Sequence, residues 1–143
     1  DVESTNTRPN WDDTWMSIAH TVARRSIDPA FKTGAVVVTA DNMHVVALGY
    51  NGLERGGSNT VDSIERGASG TVHAEVNALI KTDHRVSDRR VMYITLSPCR
   101  VCARTIVNAG INEVVYDETY RDTSGLDILK AMNITVRQHT VQR

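Results

Sequence analysis

Four residues in two short stretches have types and spacing that could do chemistry together. They are His73 and Glu75 in Thr71-Val72-His73-Ala74-Glu75, and Cys99 and Cys102 in Ser97-Pro98-Cys99-Arg100-Val101-Cys102. The two cysteines are the only ones in the chain, and their C-x-x-C spacing suggests metal or redox chemistry rather than a disulfide framework. One imidazole and two thiolates supply three of the four ligands that zinc usually takes, as in catalytic sites that keep a position for water. Two thiolates neutralise the formal charge of the ion, so its water needs help in losing a proton. A carboxylate such as Glu75 can take that proton and later deliver it to a substrate.

The elements that must position these residues can be read around them. Ser97 is a good N-cap and Pro98 a good first helical residue, which would put Cys99 and Cys102 in the opening turns of one helix, three residues apart on one face. Unpaired amides and the helix dipole at that end favour thiolate. Thr71 could cap the preceding helix in the same way, leaving His73 in its first turn. Residues two apart on an ideal helix project about 200° from one another, so His73 and Glu75 serve one site only if the ion sits beyond the helix end, toward which side chains lean. Plainer readings exist: C-x-x-C at a strand-to-helix junction also suits a thioredoxin-like redox pair, and His-x-Glu alone would be a solvated helix surface. The combination on successive strand-helix units carries the signal. His20, His44, His84 and His139 lack that context and are expected at the surface or as satisfied core residues.

Along the chain, helical and extended patterns alternate without a repeat. Trp11, Trp15, Ile18, Ala19 and Val22 recur at one-face helical spacing between Trp11 and Arg25, with Asn10 as N-cap and Asp12 and Asp13 near the positive helix end. Asp28-Pro29 ends this segment. Residues 34–39 read as a strand buried on both faces, turning at Asp41-Asn42 into a second strand over 43–48, a hairpin. Residues 51–70 hold five of the nine glycines with almost no periodicity, and a loop this long in a compact domain is functional or disordered. A helix from Val72 to Lys81, burying Val72, Val76, Leu79 and Ile80, leads to a strand over 91–96 and to the cysteine helix, which stops at Gly110. A strand over 111–116, a short helix over 125–132 and a last strand around 134–136 follow. The pattern predicts an α/β fold with a mostly parallel sheet covered on both faces, its first two strands antiparallel.

At 143 residues this is expected to be one domain over 10–143, with residues 1–9 a disordered lead. No apolar run approaches the roughly 20 residues that span a bilayer, and the polar start lacks signal-peptide features, so a cytoplasmic protein is expected. A net charge of -1 gives no general basic footprint for phosphate neutralisation, which argues against a polynucleotide partner.

The H-x-E and P-C-x-x-C pair resembles the signature of the cytidine deaminase-like zinc-dependent superfamily. Within it, the chain resembles the deoxycytidylate (dCMP) deaminases, those of bacteriophages especially, from about Trp11 to Gln138. The matching blocks are Arg25-Ser26-Ile27-Asp28-Pro29, Gly34-Ala35-Val36, Gly49-Tyr50-Asn51-Gly52, His73-Ala74-Glu75-Val76-Asn77-Ala78, Pro98-Cys99-Arg100-Val101-Cys102-Ala103 and Asn108-Ala109-Gly110-Ile111. Gly-Tyr-Asn-Gly, the long loop after it and Tyr120 point to dCMP deaminases in particular.

The resemblance implies a three-layer α/β/α fold with a five-stranded mixed sheet. It also implies hydrolytic deamination of dCMP to dUMP, the feedstock of thymidylate synthesis, with zinc at His73, Cys99 and Cys102. Glu75 would carry the proton to ring N3 and then to the departing ammonia. The Ala74 amide would hold the base carbonyl, the Ser97 carbonyl would receive the exocyclic amine, and Asn51 would bind the sugar. Tyr120 and Arg121 would close over base and phosphate, with Arg25 or Lys32 as further phosphate residues. Asn51 before a glycine also suits a plain turn, and Lys32 and Arg121 also suit a solvated surface.

Family members are commonly homo-oligomers, hexamers in the favoured reading, activated by dCTP and inhibited by dTTP with Mg²⁺. The loop that carries this regulation corresponds here to Gly52, Glu54, Arg55 and Gly57, where glycine amides and an arginine suit a polyphosphate. Many relatives have a proline in this loop and this chain has none. With no further cysteines for a second zinc, one zinc per subunit is expected. The alternatives are a cytidine, guanine or tRNA adenosine deaminase, a non-catalytic zinc module, which would require a fourth protein ligand, and a dithiol redox protein.

Overall fold

The computed structural model describes residues 7–83 and 88–141; positions 1–6 of the expected lead, and His84, lie outside the described residues. The elements run α1 (Trp11–Ala23), β1 (Gly34–Thr39), β2 (Val45–Tyr50), α2 (Ala74–Leu79), β3 (Arg90–Leu96), α3 (Arg100–Asn108), β4 (Glu113–Glu118), α4 (Ser124–Ala131) and β5 (Thr135–Gln138). They form one five-stranded mixed sheet of order β2-β1-β3-β4-β5. β1 is antiparallel to both β2 and β3, while β3-β4 and β4-β5 are parallel. The sheet is therefore half antiparallel by pairing rather than mostly parallel, because β3 runs against β1 as well. None of the described helices is long and apolar enough to cross a membrane.

The topology dictates the layers. β2, β3, β4 and β5 all run the same way, and each connection between them moves in the same direction across the sheet. Right-handed crossovers then place α2, α3 and α4 on one face. Ala74, Ala78 and Leu79 of α2, Ala103 and Ile106 of α3, and Leu126 and Leu129 of α4 pack there on Ala35, Val37, Met92, Ile94 and Val114. α1 covers the other face with Trp15, Met16 and Ala19 against Val36, Val38, Val91, Tyr93 and Val115. β1 is buried at every position, alternating between these two cores. The carboxyl ends of β2, β3 and β4 and the amino end of β1 consequently share one edge, where an α/β sheet places its ligands.

Several boundaries move for identifiable reasons. β2 starts two residues later than the pattern predicts because the hairpin turn is longer: Thr39 Oγ1 bonds to Asp41 Oδ1 at 2.6 Å and accepts the His44 N–H at 3.0 Å, and Asn42 takes φ +63°. β4 also starts two residues late. α3 ends in a Schellman motif, with Gly110 N–H on Val107 O, Ile111 N–H on Ile106 O, and Gly110 at φ +79°. Ile111 is thereby a buried cap contact rather than a strand residue.

α2 is shorter than expected, and its phase differs. Val72 and Ile80, expected inside, are 41% and 72% exposed, while Ala74, Glu75, Ala78 and Leu79 are buried. Val72 is withdrawn from the helix by a two-way backbone bridge with Gly52, at 2.8 and 3.1 Å, that closes the base of the long loop. Gly49 lets α2 lie directly on β2, since a Cβ there would fall 2.5 Å from both Ala74 O and Ala78 N.

Candidate active site

Neither expected helix cap is where the pattern predicts it, and both displacements favour a shared site. His73, not Thr71, is the N-cap of α2: its backbone is extended (φ -67°, ψ 154°) and its carbonyl accepts the Asn77 N–H. It is therefore not on the helix at all, which removes the 200° problem and lets His73 and Glu75 border the same cavity. Cys99, not Ser97, is the N-cap of α3, its sulfur accepting the Cys102 N–H at 3.5 Å. Pro98 precedes the cap instead of opening the helix. The Ser97 Oγ is used elsewhere and accepts the Tyr120 N–H at 2.6 Å, tying the end of β3 to the loop after β4.

His73 Nδ1 lies 3.0 Å from Cys102 Sγ and 3.6 Å from Cys99 Sγ, and the three ligand atoms all fall within 4.8 Å of one another. Ligands of a tetrahedral zinc stand about 3.5–3.8 Å apart, so one nitrogen and two sulfurs gathered this closely are a donor set that would hold zinc through three protein ligands. Hydrogen bonds from the Cys102 side chain and His73 hold the Cys99 thiol down to about 4. That makes it a thiolate at a helix N-cap, the state that binds metal. The bond to Cys99, together with burial and the nearby Glu75, pushes Cys102 up. The bond to Cys99 raises His73. Glu75 is 4% exposed, and burial lifts its carboxyl above the usual range. A carboxyl shifted in this direction holds a proton more readily than a free one, as a group that both takes up and delivers a proton requires.

The cavity that His73, Glu75 and Cys99 border has a volume of about 390 Å³ and is also lined by Asn51, Ala74, Ser97 and Tyr120. Asn51 is buried, its Oδ1 accepting the Thr33 N–H at 2.9 Å and its Nδ2 donating to Phe31 O at 2.6 Å, which leaves its second Nδ2 N–H for another partner. Lys32 and Arg121 border a second cavity of about 690 Å³, not the first. Arg25 lines neither, and its guanidinium lies 5.9 Å from the centre of the Tyr50 ring. Of the loop residues, Gly52 is buried in the Val72 bridge. Glu54, Arg55 and Gly57 are exposed, in a turn closed by Gly57 N–H on Glu54 O.

Three cavity residues were not legible in the sequence. Asp28 accepts the N–H groups of Ala30 and Phe31 at 2.8 Å each and the Ser69 hydroxyl. Burial opposes its ionisation, but these bonds outweigh it and hold the carboxyl below its ordinary range. Phe31, the only phenylalanine of the chain, stands between the cavities, with the Tyr120 ring edge-on at 6.2 Å and the Arg66 guanidinium 4.4 Å above its centre. Arg66 lines the second cavity. A lone Phe two residues after Asp-Pro was the one available hint; Arg66 sits in a segment without periodicity and gave none.

Residues 9–118 match the family model for the cytidine and deoxycytidylate deaminase zinc-binding region. The chain is 32% identical to a probable deoxycytidylate deaminase of Drosophila melanogaster, over 94% of this chain and 74% of that one. It is 38% identical to the deoxycytidylate deaminase of Saccharomyces cerevisiae, over 92% of this chain, spanning 45% of the yeast protein's length. A crystal structure of the dCMP deaminase from cyanophage S-TIM5, in complex with dCMP and dUMP, superposes with a TM-score of 0.80 at 30% identity, covering 94% of this chain and all of that one.

Proposed function

Because the chain belongs to the cytidine and deoxycytidylate deaminase zinc-binding family, we propose that it is a zinc-dependent hydrolase converting dCMP to dUMP and ammonia, and so a cytoplasmic supplier of dUMP for thymidylate synthesis. The observation that carries this reading is the convergence of the His73, Cys99 and Cys102 ligand atoms at the edge of a cavity that His73, Cys99, the buried Glu75, Asn51 and Tyr120 line.

His73, Cys99 and Cys102 would hold one zinc, which when bound supplies the Lewis acidity that makes water a nucleophile at neutral pH. Glu75 takes one proton of the attacking water and gives it to ring N3, then takes the second from the new C4 hydroxyl and gives it to the leaving amine, so that a C4–O bond replaces C4–N, water is consumed and ammonia released. Its raised proton affinity suits both halves of this transfer. The Ala74 amide and the Ser97 carbonyl orient the base edge, Asn51 meets the sugar, and Tyr120 covers the base. The Ser97 bond to Tyr120 keeps the covering ring in register with the base edge.

The regulatory part of this reading has dCTP with Mg²⁺ activating, and dTTP inhibiting, a homo-oligomer, a hexamer. The exposed Glu54-to-Gly57 turn is its effector contact, since the Gly52 amide is already bonded to Val72. An activity titration with dCTP and Mg²⁺, repeated on Arg55→Ala, tests that part.

The reading as a whole is tested by incubating zinc-replete protein with dCMP, deoxycytidine, cytidine, guanine and tRNA, with and without dCTP and Mg²⁺. Amine loss is followed by mass. Conversion of dCMP in preference to the others is expected; dCMP left untouched while another substrate turns over would overturn it.

A further inference from the structure

The second cavity shares Phe31, Thr33, Gly67, Leu96 and Tyr120 with the first, so the two meet along the Phe31 and Tyr120 rings. A ligand whose base sits by Glu75 and reaches past these rings would carry its distal group into the second cavity. The two differ in charge. Glu75 and Asp28 border the first, while Lys32, Arg66 and Arg121 border the second, where Glu118 is the one carboxylate among the described lining residues. An anionic group is what such a chamber accepts.

Among its cations, Arg66 is set apart by how it is held. Its guanidinium lies over the Phe31 ring at 4.4 Å, and it makes no hydrogen bond or ion pair among the described residues. Stacking on an aromatic face occupies the plane of a guanidinium and leaves its edge of N–H donors free, which is the geometry for gripping phosphate bidentately. Lys32, by contrast, already gives one N–H to Ser26 O at 2.6 Å. Phe31 is itself fixed, because Asp28 holds its N–H and Asn51 its carbonyl. Arg66 is thus a positioned cation although it belongs to a loop.

We infer that Arg66 is the residue that discriminates nucleotide from nucleoside, gripping the 5′-phosphate in the second cavity from its seat on Phe31, with Lys32 and Arg121 as supporting cations. This rests on the reading of the site as a deoxynucleotide deaminase and adds a residue to it. The same loop supplies Ser69 and Gly70 to the first cavity, so phosphate capture by Arg66 would also hold that wall in place.

The test is steady-state kinetics of zinc-loaded wild type, Arg66→Ala and Arg66→Lys with dCMP, alongside melting temperatures. Charge-assisted hydrogen bonds of this kind correspond to about a 10- to 100-fold change, so Arg66→Ala should lose about that factor in kcat/KM for dCMP. The loss should fall in KM more than in kcat, and lysine should restore part of it. A role confined to packing the loop predicts the reverse: kcat falls, the melting temperature drops, and lysine restores nothing. That outcome, or an unchanged KM, overturns the assignment while leaving the deaminase reading intact. Wild type inactive toward dCMP overturns the reading, and the assignment with it.

Discussion

His73 Nδ1 lies 3.0 Å from Cys102 Sγ, although the two residues belong to different strand-helix units and are 29 positions apart. Two N-caps make that contact possible, His73 before α2 and Cys99 before α3, each on extended backbone just outside its helix. Metal-free protein given excess zinc and then desalted should retain one equivalent per chain by elemental analysis. His73→Ala, Cys99→Ala and Cys102→Ala should each retain far less and lose the stabilisation that bound metal adds. Full zinc retention in Cys102→Ala would exclude this ligand set.

Without metal, the two cysteines should differ in reactivity. Cys99 is partly exposed and held down to about 4, whereas Cys102 is buried and raised. Iodoacetamide should therefore modify Cys99 first, at a rate nearly constant from pH 6 to 8, roughly, because the thiolate is already formed there. Zinc should protect it. Peptide mapping that finds Cys102 modified first, or a rate rising tenfold per pH unit, would contradict the assignment.

Asn51 has a structural duty apart from any sugar contact. Removing its amide in Asn51→Ala leaves the Thr33 N–H and Phe31 carbonyl without their partner. At about 1–3 kcal/mol for each of these two groups left unsatisfied, a loss of roughly 2–6 kcal/mol is expected in urea unfolding of the metal-free protein. A loss below about 0.5 kcal/mol would show that these bonds are dispensable.

Asp12 ties α1 to the far side of the sheet, accepting from Arg137 at 2.6 and 2.9 Å and from the Tyr93 hydroxyl at 2.5 Å. The Arg137 hydrogen bonds hold its carboxyl below the ordinary value of 3.8. The folded protein therefore binds this proton less readily than the unfolded chain. The stabilisation is complete above the unfolded value and is lost as pH falls through the folded one. Solvent screening limits it, so Asp12→Asn should cost about 1 kcal/mol at pH 7 and progressively less below pH 4. A pH-independent difference between wild type and variant would refute the linkage.

How far the sequence carried can be judged from particular residues. Helical periodicity and short apolar runs located the described helices and strands, because the helices bury one apolar face and the central strands β1 and β3 bury both. Boundaries shifted where a hydrogen bond between distant segments outcompeted local preference. Val72 reads as helical until Gly52 pairs with it, and Ser97 reads as a cap until the Tyr120 amide takes its hydroxyl. The grouping of His73, Cys99 and Cys102 near Glu75 was legible because metal-binding chemistry of this kind restricts the residue types. Asp28, Phe31 and Arg66 were not, since an Asp before Pro, a lone Phe and a loop Arg have ordinary local explanations. Only tertiary placement brings them to the cavities.

Proton transfer by Glu75 in the proposed zinc-dependent deamination of dCMP is read most directly from ammonia release. Wild type and Glu75→Ala are to be compared at equal zinc content. Wild type should release one ammonia per dUMP formed. The variant should keep its zinc and lose a factor of about 10² to 10⁴, the usual contribution of a positioned general acid-base. A variant that deaminates dCMP at near the wild-type rate would remove Glu75 from the proton transfer.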